Sequence, residues 1–170
     1  MKKLLLLSAI ALVAIGVQAQ QGDKSQRPSP PAKVSETISS GAVVSIDYSQ
    51  PAVKGREIGK EIAPYGQVWR TGANEATVFE VSKDVKVEGK SLPAGKYGLY
   101  SIPGKDEWVI IFNKTWKQWG TNYKEGDDAL RVNVKPGKAP GFTERMTFTV
   151  NKSGKVSLLW GNDEVDFKVQ

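Results

Sequence analysis

The sequence predicts an all-β fold, an antiparallel β-sandwich or jelly-roll-like single domain of nine or ten short strands. Three observations carry this. Apolar side chains recur at every second position through most of the chain, the period of a half-buried strand. Turn-forming residues separate these runs at short spacing, and no stretch has the periodicity of a long amphipathic helix. Many short strands of this kind favour a sandwich or jelly roll over an open sheet, with a barrel as the alternative.

The chain opens with Met1-Lys2-Lys3 and an apolar run from Leu4 to Val17, followed by Val17-Gln18-Ala19 before Gln20. A cationic start, an apolar core too short to span a bilayer and a small-x-small cleavage pattern read as a signal peptide over residues 1–19. No cysteine follows for lipid attachment, so the expected product is soluble, with no membrane span after cleavage, and is periplasmic or secreted. Residues 20–33 are polar and carry Pro28, Pro30 and Pro31, which predicts a flexible, extended tether. The β-sandwich domain is expected over residues 34–170.

Within it, Val44, Ile46 and Tyr48 share one face of a strand, as do Thr77, Phe79 and Val81, and then Val85 and Val87. Leu92-Pro93-Ala94-Gly95 fits a type I turn leading into a strand over Tyr97 to Ile102. Trp108 to Phe112 is apolar on both faces, which predicts an interior strand. Leu130, Val132 and Val134 alternate with polar residues, and so do Met146, Phe148 and Val150; Pro136 to Gly141 reads as the loop between them. Val156, Leu158 and Trp160 precede Gly161-Asn162, a pair suited to a tight hairpin returning through Val165, Phe167 and Val169.

Composition excludes several chemistries. With no cysteine and no histidine, imidazole or thiolate metal sites, Ser-His or Cys-His nucleophiles and histidine acid/base catalysis are all absent. Two of the 24 basic residues, Lys2 and Lys3, leave with the signal, so the mature part is only mildly basic against its 18 acidic residues. The lysines are scattered rather than clustered, so nucleic acid is not an expected partner. No cofactor is implied.

Two segments are candidates for function. In the first, Trp69, Arg70, Asn74 and Glu75 surround Gly72, a turn that brings a guanidinium fork near a carboxylate. Two readings are open: a site for a carboxylate, phosphate or sugar hydroxyls, or a partly buried structural Arg70–Glu75 pair covered by Trp69. In the second, Thr115 and Gln118 stand like a capping box and Gly120 suits a helix stop, so one helical turn would put Trp116 and Trp119 on one side, near Tyr123. Those rings form either a stacking platform for a sugar or a lid over the core. The oxygen-rich stretch Asn122, Glu125, Asp127 and Asp128 places Lys124 where a calcium loop wants a ligand, so no metal site is expected.

The motifs Tyr48-Ser49-Gln50-Pro51 with Val53-Lys54-Gly55-Arg56, Pro64 through Thr77, Leu92-Pro93-Ala94-Gly95-Lys96-Tyr97, and Trp108 through Gly120 resemble the exported bacterial family catalogued as domain of unknown function 2911. The resemblance covers roughly Ser29 to Pro136. It implies export and a single domain, and carries no assigned activity. The function that residues and resemblance together lead us to expect is a non-catalytic envelope or secreted module binding a glycan, a cell-wall fragment or a protein partner. The alternative is a carboxylate hydrolase using Glu75, with Arg70 orienting the substrate.

Overall fold

The computed structural model describes residues 23–170; the signal peptide expected over residues 1–19 lies outside the described residues. Ten strands form an all-β, antiparallel sandwich: β1 (Pro31–Thr37), β2 (Val43–Ser49), β3 (Thr77–Val81), β4 (Val85–Val87), β5 (Lys90–Leu92), β6 (Gly95–Ile102), β7 (Trp108–Asn113), β8 (Asp128–Val134), β9 (Pro136–Val150) and β10 (Lys155–Lys168).

One layer is a six-stranded sheet in the order β1-β2-β3-β6-β7-β8. Register lines up the alternating apolar residues: Ile46 faces Phe79, Phe79 faces Tyr97, Leu99 faces Phe112, and Phe112 faces Leu130. The expected interior strand is β7, paired on both sides and apolar on both. Its Trp108, Ile110 and Phe112 enter the main core, while Ile111 joins Tyr100 and Ala76 in a small cluster on the outer face.

The second layer is built on the β9–β10 ribbon. Val87 bridges Val169, and Lys86 exchanges two hydrogen bonds with Gln170, which adds the β4–β5 hairpin to one edge. On the other edge Ala52 bridges Arg145. Between the layers Phe79 meets Phe112 edge-on at 5.0 Å, with Phe167 about 6 Å from both. Tyr48 ties the layers at a second point. Its ring sits edge-on to Phe148 at 5.0 Å, and its hydroxyl accepts the Phe148 N–H at 3.0 Å.

Four local expectations are corrected. Gly161-Asn162 is not a hairpin: β10 runs through it, and Gly161, at φ +59°, is the site of a bulge where the register to β9 shifts. The true turn lies at Asn151–Gly154, where the Asn151 side chain accepts the Lys155 N–H. Pro136 to Gly141 is strand, because Pro136 opens β9 and Pro140 falls in the irregular stretch between the Lys138 and Thr143 pairs, where no ladder bond is needed from it.

Thr115 to Gly120 is not helical. The Asn113 side chain takes the Thr115 N–H at 3.0 Å, and Trp119 enters a bridge with Glu75, so side-chain bonding and strand pairing replace the helical turn. Finally, the described part of the stretch expected to be a flexible tether, residues 23–33, is bound to the domain. β1 begins at Pro31, Gln50 donates its N–H to the Pro30 carbonyl, and Arg145 donates to the Pro28 carbonyl. Proline is acceptable here because it opens an edge strand.

Candidate functional site

The site grows from a short antiparallel bridge. Trp69 and Ser101 exchange hydrogen bonds of 2.7 and 2.9 Å, which places residues 69–70 beside β6. Trp69 stacks on Trp160 at 5.2 Å with planes 9° apart and meets Trp108 edge-on at 6.3 Å. Its role is to seal the core. Beyond it the chain turns through two uncommon backbone conformations, Thr71 at φ +46° and Asn74 at φ +61°. For a β-branched residue such as Thr71 that geometry is strained and must be held by its surroundings.

Those surroundings are polar and close. Thr71 Oγ1 bonds Ser101 Oγ at 2.9 Å, Thr77 Oγ1 donates to the Thr71 carbonyl at 2.8 Å, and a Cβ on Gly72 would come within 2.6 Å of Thr77 Oγ1. Asn74 Nδ2 donates to the Ser29 carbonyl, while the Asn74 carbonyl accepts the Gly120 N–H. Asn74 is therefore a clasp between three segments. The loop 70–76 and the loop 116–120 are locked side by side, and the Ala76 N–H donates to the Gln118 carbonyl.

This lock sends Arg70 and Glu75 to different places, and the expected Arg70–Glu75 pair is not formed. Glu75 is held instead by Arg27 Nη1, 3.0 and 2.8 Å from its two oxygens, and by Lys24 Nζ at 3.1 Å. Burial pushes the Glu75 carboxyl up, but its own backbone N–H together with Arg27 and Lys24 outweighs this and sets it at about 2. It faces a hollow of about 190 Å³ shared with Pro31, Asp47 and Val78. Spacing in the sequence could not reveal Lys24 and Arg27, because both lie in a stretch with no strand pattern.

Arg70 enters a second hollow of about 440 Å³, lined by Val68, Trp69, Arg70, Gly120, Thr121 and Tyr123. Its stem lies against Gly120 so closely that a Cβ there would collide with Arg70 Cδ and come within 2.9 Å of both Arg70 Cβ and the Asn74 carbonyl. Gly120 is therefore the residue that admits the arginine, a role different from the helix stop expected of it. The Arg70 Nε is buried and has no hydrogen-bond partner.

Tyr123 forms the opposite wall. Its hydroxyl donates to Asp128 Oδ2 at 2.7 Å and accepts from Arg131 Nη2 at 2.8 Å, so both its bonding functions are used. Burial, with the Asp128 bond, pushes this phenol up to about 12. Asp128 also accepts from Arg131 Nε at 2.7 Å and from Asn113 Nδ2 at 2.9 Å.

The two loop tryptophans part company. Trp119 leaves 48% of its surface exposed beside Gly120. Trp116 is half-buried, with Lys96 Nζ 5.3 Å from its ring centre, and lines a third hollow with Glu75, Ala76, Val78, Lys117 and Gln118. Of the seven residues singled out from the sequence, the structure thus gathers Trp69, Arg70 and Tyr123 in one cleft, while Trp119 is exposed next to the lining residue Gly120. Glu75 and Trp116 lie together elsewhere, and Asn74 is structural. Val68 and Thr121 complete the cleft without any motif to announce them.

No match was found among the curated proteins or among the solved structures. One family profile, described as "Protein of unknown function (DUF2911)", matches residues 29–169, a span that takes in every residue of the Arg70 cleft. The chain belongs to this family of unknown function, DUF2911.

Proposed function

We propose that the mature protein is an exported, non-catalytic module of the cell envelope or exterior that binds a glycan or cell-wall fragment in the Arg70 cleft. The observation that carries this is the cleft itself: a hollow of about 440 Å³ lined by Trp69 and Tyr123, with the exposed Trp119 next to the lining residue Gly120 in the chain. Flat rings at the wall of a hollow of that size suit the apolar face of a sugar. The polar networks that fix both walls give the preorganisation that binding rewards.

Hydrolysis at Glu75 draws no support from the geometry. A carboxylate set at about 2 and held by two cations stays ionised at neutral pH, so it is no general acid and a weak base. It also lies outside the Arg70 cleft.

A glycan and cell-wall fragment screen on the mature chain tests the reading, with Val68→Glu as the plugged variant. Val68 is 41% exposed and lines the cleft, so this change obstructs the hollow with little cost to the fold. Saturable binding that disappears in the variant is expected. Absence of any retained glycan, or retention unchanged by the plug, would overturn the proposal. Sugar release abolished by Glu75→Gln would overturn its non-catalytic part.

A further inference from the structure

We infer that the ligand of this cleft carries a carboxylate and that Arg70 is the residue that reads it. The inference rests on the glycan reading above and adds a charge requirement to it. The acidic side chain expected to be the partner of Arg70 is taken, since Glu75 has Lys24 and Arg27, while Asp128 and Glu125 share Arg131. Arg70 has no such partner among the described residues, and its Nε is buried with no acceptor.

Arg70 as a whole is half-buried, and of its nitrogens only Nε is shut off without a partner, so the terminal nitrogens are the part of the fork that an acceptor in the cleft can meet. The protein holds Arg70 there, threading its stem past Gly120, the glycine whose Cβ would displace it. Among the described residues no carboxylate engages Arg70, so a ligand entering the cleft meets its terminal nitrogens without an ionic partner.

The donor set narrows the class. Among the described residues Arg70 is the only cation lining the cleft, and the Tyr123 hydroxyl is already committed to Asp128 and Arg131, which leaves the Thr121 hydroxyl and ring faces beside the fork. One planar fork matches one planar carboxylate in a bidentate contact. A phosphate can meet the same fork, but its second charge would stay unmatched in a cleft lined by one cation. The ligand class is therefore an acidic sugar whose ring lies against the aromatic walls and whose carboxylate meets Arg70. Two sources present that chemistry, the lactyl ether of a muramic-type sugar and the carboxylate of a uronic acid.

Titration calorimetry on the mature protein separates the possibilities, using N-acetylglucosaminyl-N-acetylmuramic acid, a glucuronic acid disaccharide, and each of these with its carboxyl reduced to an alcohol. At least one acid is expected to bind about tenfold or more tightly than its reduced form, a preference that fades with salt, is lost in Arg70→Gln and returns in part in Arg70→Lys. Preference for one of the two acids supports the inference and assigns the source. Equal affinity for acid and reduced forms overturns the inference while leaving the glycan reading standing, and failure of all four sugars to bind, with a glycan screen also empty, removes both. The wild-type comparison decides the matter even if the arginine variants do not fold.

Discussion

A single terminal nitrogen of Arg27 lies 3.0 and 2.8 Å from the two carboxylate oxygens of Glu75, 48 residues further along the chain. The side chains are 31% and 40% exposed, so this is a surface-type pair, expected to contribute about 0.2–1 kcal/mol. A double-mutant cycle with Arg27→Met and Glu75→Gln, read by urea unfolding, should show coupling in that range. The parallel cycle of Arg70→Met with Glu75→Gln should be additive within about 0.5 kcal/mol. Stronger coupling in the second cycle than in the first would contradict the geometry.

The same carboxylate predicts an acid limb. Its pKa falls from 4.5 to about 2 in the folded chain, so its contribution is present above about pH 4.5 and is lost as pH drops through about 2. Thermal melts across that window should show a shallower decline for Glu75→Gln than for wild type. Because the group is part-exposed, salt should reduce the difference. Identical slopes would show that Glu75 is as acidic in the unfolded chain as in the folded one.

Three tryptophans should rank in stability. Trp69→Ala removes a ring stacked on Trp160 and set against Trp108, and should cost about 3–5 kcal/mol. Trp116→Ala removes a half-buried ring and its contact with Lys96, for about 1–2 kcal/mol. Trp119→Ala should stay within about 0.5 kcal/mol. Denaturant midpoints at equal m-values give the order, and a large loss at Trp119 would make it a lid.

Gly161 should accept a side chain only at a cost, chiefly from its positive φ. A Cβ would sit 2.9 Å from Ile58 Cδ1 at a positive φ, so Gly161→Ala is expected to cost about 1–3 kcal/mol. Gly126, with open space at its Cβ position, is the control and should accept alanine with a change within about 0.5 kcal/mol. Calorimetric melting of the two variants checks the contrast.

Strand positions were legible because burial on one face writes a period of two into the sequence. Val44, Ile46, Phe79 and Val132 carry that period and all lie in the core. What escaped was anything decided by a partner distant in sequence. Gly161-Asn162 has the composition of a hairpin, yet pairing with β9 holds the strand straight through it. Spacing pairs Glu75 with the nearest arginine along the chain, whereas the lock between the loops at 70–76 and 116–120 turns Arg70 away and leaves Glu75 to Arg27. Trp69, Arg70 and Tyr123 were found because large rings and a guanidinium stand out individually; Val68 and Thr121 do not.

The bridge between Val87 and Val169 bears on the order of folding. The β9–β10 ribbon is local, with its strands meeting across the turn at Asn151–Gly154, and it can zip from that turn outward. Joining β4 to the end of the chain instead requires closing a loop of some eighty residues, whose entropy must be met before the contact gives anything back. The topology therefore predicts a slow folder, in the range of milliseconds to seconds, in which the ribbon forms early and the β4 edge closes late. Until it closes, the outer edge of β10 is an open template for strand addition, and the interval is when the chain is most exposed to self-association.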